Sequence, residues 1–158
     1  MRSFVILCSA AIAASVLLSG CAVPTPVVNP RPQEVTAQIS TQTMHDAIVK
    51  AAQQRKWRIV SDEPSRMTLA YPGTAKAVHF EAIVRVDYTA KDYRISYVSS
   101  RGLDERMGCV NPKIQGGNSY DENALCAHRN VNRWMNNLSA DILKNLYQYK
   151  APQLNFLL

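Results

Sequence analysis

Five polar residues late in the chain could together bind an acidic ligand. Three of them recur four residues apart, and two arginines form a parallel row beside them; the five are His128, Arg129, Asn132, Arg133 and Asn136. On a helix this spacing places side chains on one face, where guanidinium groups and amides can converge on carboxylates or phosphates. The same residues equally suit the solvated face of an amphipathic helix, or a cover for the end of a sheet. The sequence leaves both interpretations open.

Residues suited to metal binding or nucleophilic catalysis are sparse. Cys126 and His128 offer two ligands at one place, whereas His45 and His79 fall in other segments. A zinc site needs three or four ligands. A Cys126–His128 nucleophile pair would be lost on oxidation of the thiol. The chain has no G-x-S-x-G motif and no Gly-rich phosphate loop. We therefore expect no metal, no cofactor and no enzyme activity.

The first 21 residues have the pattern of an export signal. Arg2 is followed by an apolar stretch from Phe4 to Leu18, which is short for a membrane span and typical of a signal peptide. Leu18-Ser19-Gly20-Cys21 then resembles the bacterial lipobox. That resemblance implies cleavage before Cys21, diacylglycerol on its thiol and an acyl chain such as palmitate on its amino group. Ala22 in place of an aspartate implies sorting to the outer membrane of a Gram-negative cell, with the domain facing the periplasm.

The remaining cysteines predict one disulfide. Cys8 leaves with the signal peptide, and lipid occupies the thiol of Cys21. Cys109 and Cys126 remain, an even number in an oxidising compartment, and we expect them to pair. Two free thiols, buried or reactive, are the alternative.

Proline content separates the anchor from the domain. Four prolines fall between residues 24 and 32, which favours an extended spacer over residues 22–39. At this length it could reach about 30–60 Å. The expected organisation is a signal peptide (1–20), lipidated Cys21 with a Pro-rich tether (21–39), a single domain (40–150) and a tail (151–158).

The domain has the patterns of two helices and four strands. Apolar residues at helical spacing predict a helix after Ser40–Thr43 and a second one from near Asp121 to Tyr149. Alternating apolar residues predict the four strands between them, at 57–61, 66–71, 77–88 and 93–97. Residues 101–120 are expected to form a long loop. This α-β-β-β-β-α order predicts an α+β two-layer sandwich, a four-stranded antiparallel meander with two helices on one face.

Three segments resemble a group of bacterial outer-membrane lipoproteins of uncharacterised activity. The first runs from Ala47-Ile48 to Trp57, and the second is Tyr93-x-Ile95-x-Tyr97-x-Ser99-x-x-Gly102-Leu103. The third, and most specific, runs from His128 to Leu138, with Val131 where the group usually has an aromatic residue. The resemblance covers most of residues 41–143 and implies the same topology and a lipoprotein, but no activity.

The charge of the chain bears on its partners. A net charge of +6 favours anionic neighbours such as lipid head groups. No basic-aromatic motif of a nucleic-acid module is present, so we expect no nucleic-acid partner.

The sequence favours a membrane-anchored, non-catalytic module that binds an envelope protein or an anionic envelope polymer. A peptidoglycan- or lipid-acting enzyme and a lysozyme inhibitor are the alternatives. Since lysozymes are often cationic, the basic charge disfavours the inhibitor.

Overall fold

Two antiparallel sheets and two helices make up the part of the protein that the computed structural model describes, which is residues 23–36, 38–111 and 119–154. The predicted signal peptide, Cys21 and the last four residues of the predicted tail lie outside these residues. The predicted α+β class is confirmed, but the single four-stranded meander is not, because a second sheet is present. The elements are β1 (Thr25–Pro26), β2 (Gln33–Glu34), α1 (Thr41–Gln54), β3 (Arg58–Glu63), β4 (Arg66–Tyr71), β5 (Glu81–Tyr88), β6 (Asp92–Arg101), β7 (Arg106–Asn111), β8 (Ser119–Ala127) and α2 (Asn130–Leu154).

The main sheet has the strand order β2-β6-β5-β4-β3, and each neighbouring pair is antiparallel. Its four consecutive strands β3 to β6 are those of the predicted meander. Burial alternates residue by residue along β5, because successive side chains of a strand point to opposite faces. One face therefore carries the apolar side chains of the core: Met67, Leu69, Ala82, Val84, Val86, Tyr88, Tyr93 and Ile95.

β5 begins at Glu81, four residues later than the alternation of apolar residues predicts. Residues Ala75–Val78 form a short 3-10 helix instead. The guanidinium group of Arg101 donates to the carbonyl oxygens of Ala77 at 2.6 Å and of Val78 at 3.1 Å. These carbonyls are thus satisfied by a side chain rather than by a neighbouring strand, so the local pattern does not become a strand.

Both helices pack against the apolar face of the main sheet. α1 is capped by Ser40, whose Oγ accepts a hydrogen bond from the Thr43 amide at 3.0 Å. It buries the predicted stripe, and α2 buries a matching one; the two stripes are Met44, Ala47, Ile48, Ala51 and Ala52, and Val131, Met135, Leu138, Ile142 and Leu146. The Tyr93 hydroxyl donates to the Ser139 carbonyl at 2.8 Å and joins the sheet to α2. Burial raises the pKa of Tyr93 to about 12.

The second predicted helix is confirmed but begins at Asn130 rather than near Asp121, and residues 106–111 and 119–120 of the predicted loop are strands. β7 and β8 form an antiparallel hairpin, and β1 pairs with the other edge of β8, which gives a second sheet of order β1-β8-β7. The Cys109–Cys126 disulfide, predicted from the sequence, joins the two hairpin strands. The Val27 amide donates to the Leu125 carbonyl at 2.8 Å. Hydrogen bonds between strands thus replace those of a helix, and α2 begins only at Asn130.

The tether predicted over residues 21–39 is also wrong where it is described. Residues 25–26 pair with β8 and residues 33–34 pair with β6, so this segment supplies an edge strand to each sheet. Pro24 and Pro30 are buried. Proline-rich sequence does favour extended backbone, and an edge strand tolerates proline because one side of it needs no ladder donor. The described part of this segment therefore lies on the domain instead of forming a free spacer.

The N-terminal segment, residues 23–36, also satisfies backbone groups along the edge of β6 beyond the two residues that pair with β2. The side-chain oxygen of Asn29 accepts a hydrogen bond from the Tyr97 amide at 2.8 Å, and the Val35 amide donates to the Lys91 carbonyl at 2.7 Å. Farther along the edge, a carboxylate oxygen of Glu105 accepts a hydrogen bond from the Ser100 amide. An edge that is covered in this way is protected from pairing with another chain.

Candidate functional site

The five polar residues singled out from the sequence are divided by the structure. His128 lies before α2, and its Nδ1 accepts a hydrogen bond from the Asn130 amide at 3.2 Å, as a helix cap does. Asn136 donates to the Asn132 carbonyl at 2.8 Å within the helix. Arg129 and Arg133 are exposed. The set therefore has separate roles rather than one continuous row.

Asn132 fastens the N-terminal segment to α2. Its Oδ1 accepts a hydrogen bond from the Val28 amide at 2.9 Å, and its Nδ2 donates to the Pro26 carbonyl at 2.8 Å. One amide side chain thus reproduces the paired donor and acceptor of a neighbouring strand. This is a structural use of the residue, and it leaves Arg133 as the member of the set that lines a cleft.

Arg133 contributes to a cleft of about 300 Å³ between the end of α1, β4 and α2. We call it the aromatic cleft. Its lining residues are Arg55, Trp57, Tyr71, Arg133, Trp134 and Asn137. Both tryptophans of the chain lie here. Of these six residues, the sequence analysis had proposed only Arg133 as a site residue. The chain has only two tryptophans, and this rarity was the sequence feature that could have drawn attention to Trp57 and Trp134.

Aromatic rings form one wall of the cleft. The Tyr71 ring lies between the two tryptophans, with centroid distances of 5.1 Å to Trp57 and 4.5 Å to Trp134. Phe80 stacks on Trp134 from a centroid distance of 5.9 Å at an interplanar angle of 15°. Such ring contacts hold the side chains in fixed orientations. The wall is therefore a preformed surface on which a flat, weakly polar ligand face can pack.

The end of α1 positions Trp57. The Lys56 amide donates to the Gln53 carbonyl at 3.1 Å and the Trp57 amide to the Ala52 carbonyl at 2.8 Å. Lys56 has φ of 58°, and this pattern is a Schellman motif with lysine at the position that usually holds glycine. The Gly73 amide donates to the Lys56 carbonyl, and a Cβ on Gly73 would lie 2.7 Å from that oxygen. The chain after β4 is thus held against the turn that presents Trp57.

Two guanidinium groups line the cleft, and they differ in their partners. Arg55 pairs through Nε and Nη2 with the carboxylate of Asp141, which raises the pKa of Arg55 and holds its side chain in place. Arg133 makes no hydrogen bond or ion pair with another residue in the described ranges. Asn137 adds an amide. The arrangement can therefore offer a ligand one oriented cation, one cation that has no partner among the described residues, and a neutral donor and acceptor.

A second cluster surrounds His45 in a depression of about 400 Å³. Its Nε2 lies 3.0 Å from both carboxylate oxygens of Asp62, and its Nδ1 lies 3.3 Å from Asp46 Oδ1. The Asp62 hydrogen bond is the main cause of a raised pKa for His45. When protonated, both ring nitrogens donate to carboxylates, so neither can accept a proton from a substrate. The cluster is better suited to joining α1 to β3 than to acid–base catalysis.

The described residues include neither a metal cluster nor a helix that could span a membrane. No group of three or more His, Cys, Asp or Glu side chains in this part of the chain is arranged to hold a metal ion. None of its helices is both long and apolar enough to cross a membrane. Comparison of the chain with protein-family models, with curated proteins and with solved structures finds no match.

Proposed function

We propose that this protein is a lipid-anchored, non-catalytic lipoprotein of the bacterial outer membrane whose periplasmic domain binds an anionic envelope glycan in the aromatic cleft. Cys21 is the proposed lipidation site. The observation that carries the binding proposal is the placement of Arg55 and Arg133 beside the wall formed by Trp57, Tyr71 and Trp134. Concave sites with mostly apolar walls and a few placed polar groups are the usual form of ligand sites.

The chemistry of the cleft favours a sugar ligand that carries carboxylates. One face of a pyranose ring carries mainly C–H groups, so it packs on aromatic rings with loss of apolar surface from water. Guanidinium groups bind carboxylates through paired, charge-assisted hydrogen bonds. The Asn137 amide can bind a hydroxyl or acetamido group. Peptidoglycan, a glycan with carboxylate-bearing substituents, combines these features.

The alternative functions have less support among the described residues. An enzyme needs a group that exchanges protons with substrate, and the ring nitrogens of His45 are both held by aspartates. A lysozyme inhibitor would have to bind proteins that are often cationic, while this chain carries a net charge of +6. Binding without turnover is therefore the function we propose.

Co-sedimentation with purified peptidoglycan sacculi tests the cleft. We expect Arg133→Glu to weaken binding about tenfold or more, because it replaces a charge-assisted hydrogen bond with repulsion. Arg129→Glu is the matched control, since it changes the net charge equally at an exposed arginine outside the cleft. Neither change should alter the melting temperature. Equal losses for both variants would show diffuse electrostatic attraction and contradict the cleft as the site.

Metabolic labelling with palmitate tests the anchor. Cys21→Ser removes the thiol that accepts diacylglycerol, so labelling and membrane fractionation should both be lost. The Cys109→Ser/Cys126→Ser protein should still take up label and serves as the control. If the Cys21→Ser protein remains labelled and membrane-bound, the anchor assignment is wrong.

A further inference from the structure

The three-stranded sheet β1-β8-β7 exposes a group of large apolar side chains. Met107 and Leu125 pair directly across the β7–β8 ladder, so both side chains project from the same face. They are 60% and 37% exposed, and Tyr120 is 63% exposed. The Tyr120 ring lies over Gly108, where a Cβ would come within 2.3 Å of its hydroxyl oxygen. Met107 and Leu125 thus share one face, and Tyr120 lies over the residue that follows Met107; we call these three exposed side chains the hairpin patch.

The open face of the main sheet carries several ion pairs. There Arg58 pairs with Glu81 at 2.8 Å, and Arg66 and Arg85 pair with Asp87 at 2.7 and 2.9 Å. Ion-paired side chains are a usual way to cover a solvated sheet face, whereas grouped apolar side chains mark a contact surface. Single exposed apolar side chains also occur on strands of the main sheet, such as Val60 at 47% and Val98 at 50%, so the choice of an occupant for the hairpin patch rests on the position of the proposed lipid anchor.

The chain leaves little distance between the proposed anchor and this sheet. β1 is an edge strand of the sheet, and Thr25 pairs with Ala127. Cys21 precedes Thr25 by four residues. At no more than about 3.6 Å per residue, the two Cα atoms are within about 14 Å of each other. Because β1 and β2 pair with strands of the domain, the residues that contain them cannot act as a spacer between the anchor and the domain.

We propose that the hairpin patch lies on the lipid surface beside the anchor, with Met107, Tyr120 and Leu125 at the level of the head groups. This inference rests on the proposed lipidation of Cys21. Aromatic side chains with a polar tip suit the membrane interface, because the ring contacts acyl chains while the hydroxyl stays among polar groups. The domain then sits against the membrane rather than at the end of a spacer.

Fluorescence quenching by brominated lipid tests this orientation. The acylated mature protein is reconstituted in phosphatidylethanolamine–phosphatidylglycerol vesicles with or without brominated acyl chains. Tyr120→Trp places a reporter in the hairpin patch. Tyr147→Trp is the matched control, because Tyr147 is equally exposed at 66% and lies about 25 Å along α2 from its start. We expect brominated lipid to quench most of the emission added by Tyr120→Trp and none of that added by Tyr147→Trp.

The unsubstituted protein gives a second measurement that requires no folding of a variant. On vesicles, a water-soluble reagent should nitrate Tyr120 less than half as fast as Tyr147, as measured by mass spectrometry of the peptides. Equal nitration of the two tyrosines, together with equal quenching of the two tryptophan variants, would overturn the inference.

The experiments distinguish an error in the proposed lipidation of Cys21 from an error in the proposed orientation of the domain. A protein that carries no acyl chain on Cys21 and stays in the supernatant contradicts the proposed function. An acylated protein that sediments with vesicles but shows an unquenched Tyr120→Trp reporter contradicts only the orientation. Met107→Ser/Leu125→Ser, added to Tyr120→Trp, should reduce the quenching while the protein remains vesicle-bound.

Discussion

His45 shows what a single residue does in this fold. It stands on α1 and joins Asp62 on the edge strand β3, with Nε2 3.0 Å from each carboxylate oxygen. The pairing raises the pKa of His45, chiefly through the hydrogen bond with Asp62. A histidine with a raised pKa in the folded state stabilises the protein fully below its unfolded pKa and loses that contribution as pH rises through the folded value.

Asp62→Asn should therefore lower the pKa of His45 toward its ordinary value of 6.5. The variant should be less stable than the wild type below pH 6.5, by at most about 1 kcal/mol for a partly exposed pair, and the difference should shrink above the raised pKa. An NMR titration of the His45 ring measures the first effect and urea unfolding the second. Glu63→Gln, next to the pair but without a hydrogen bond to His45, is the control. An unchanged His45 titration in Asp62→Asn would contradict the assignment.

Sequence reasoning could not find this residue pair. His45 and Asp62 are separated by 17 positions and lie on different elements. Their meeting depends on the angle at which α1 crosses the sheet and on the register of β3. The aromatic cleft has the same origin, since Trp57 comes from the turn after α1, Tyr71 from β4 and Trp134 from α2. Local periodicity describes one element at a time, so it carries no information on such contacts.

At the scale of elements, the β7–β8 hairpin depends on its disulfide. Cys109 and Cys126 are buried, their Cα atoms are 6.3 Å apart, and they are separated by 17 residues. Apart from its last two residues, β8 is exposed or half-buried, so the hairpin buries little apolar surface that could stabilise it. A covalent link that closes a chain of this length restricts the unfolded state.

Reduction should accordingly lower the free energy of unfolding by about 3 kcal/mol in the chain-entropy account of such a loop. Urea unfolding of the mature protein, with and without reductant, measures the effect. The Cys109→Ser/Cys126→Ser variant should match the reduced protein and should not respond to reductant. Alkylation of both cysteines in the denatured protein before reduction would show that the bond is absent.

At the scale of the whole molecule, the N-terminal segment is part of the folded domain. It provides an edge strand to each sheet, and Asn132 holds it against α2 with hydrogen bonds of 2.9 and 2.8 Å. The earliest described residues are thus stabilised by residues more than 100 positions later. The distance between the proposed anchor and the domain follows from this contact.

Asn132→Ala should lower the free energy of unfolding by about 1–2 kcal/mol, because the Val28 amide and the Pro26 carbonyl lose their partner. Urea unfolding measures the loss, and hydrogen exchange at residues 25–28 should accelerate in the same variant. Asn136→Ala is the matched control on the next turn of α2. Its side chain bonds only within the helix among the described residues, and alanine is the better helix former. Equal stability of the two variants would mean that the segment does not contribute.

The sequence by itself determined the elements that have strong local patterns. Helical spacing of apolar residues defines α1, strict alternation defines most of β5, and the two cysteines that remain after the predicted processing predict the disulfide. Only the tertiary structure decided the conformations of residues 25–34, 106–111 and 119–127. β1 and β2 are two residues long and β8 is largely polar, so their conformation comes from hydrogen bonds to distant backbone rather than from burial of a periodic face. The aromatic cleft and the hairpin patch follow from the same long-range pairings, because each gathers side chains that local sequence leaves apart.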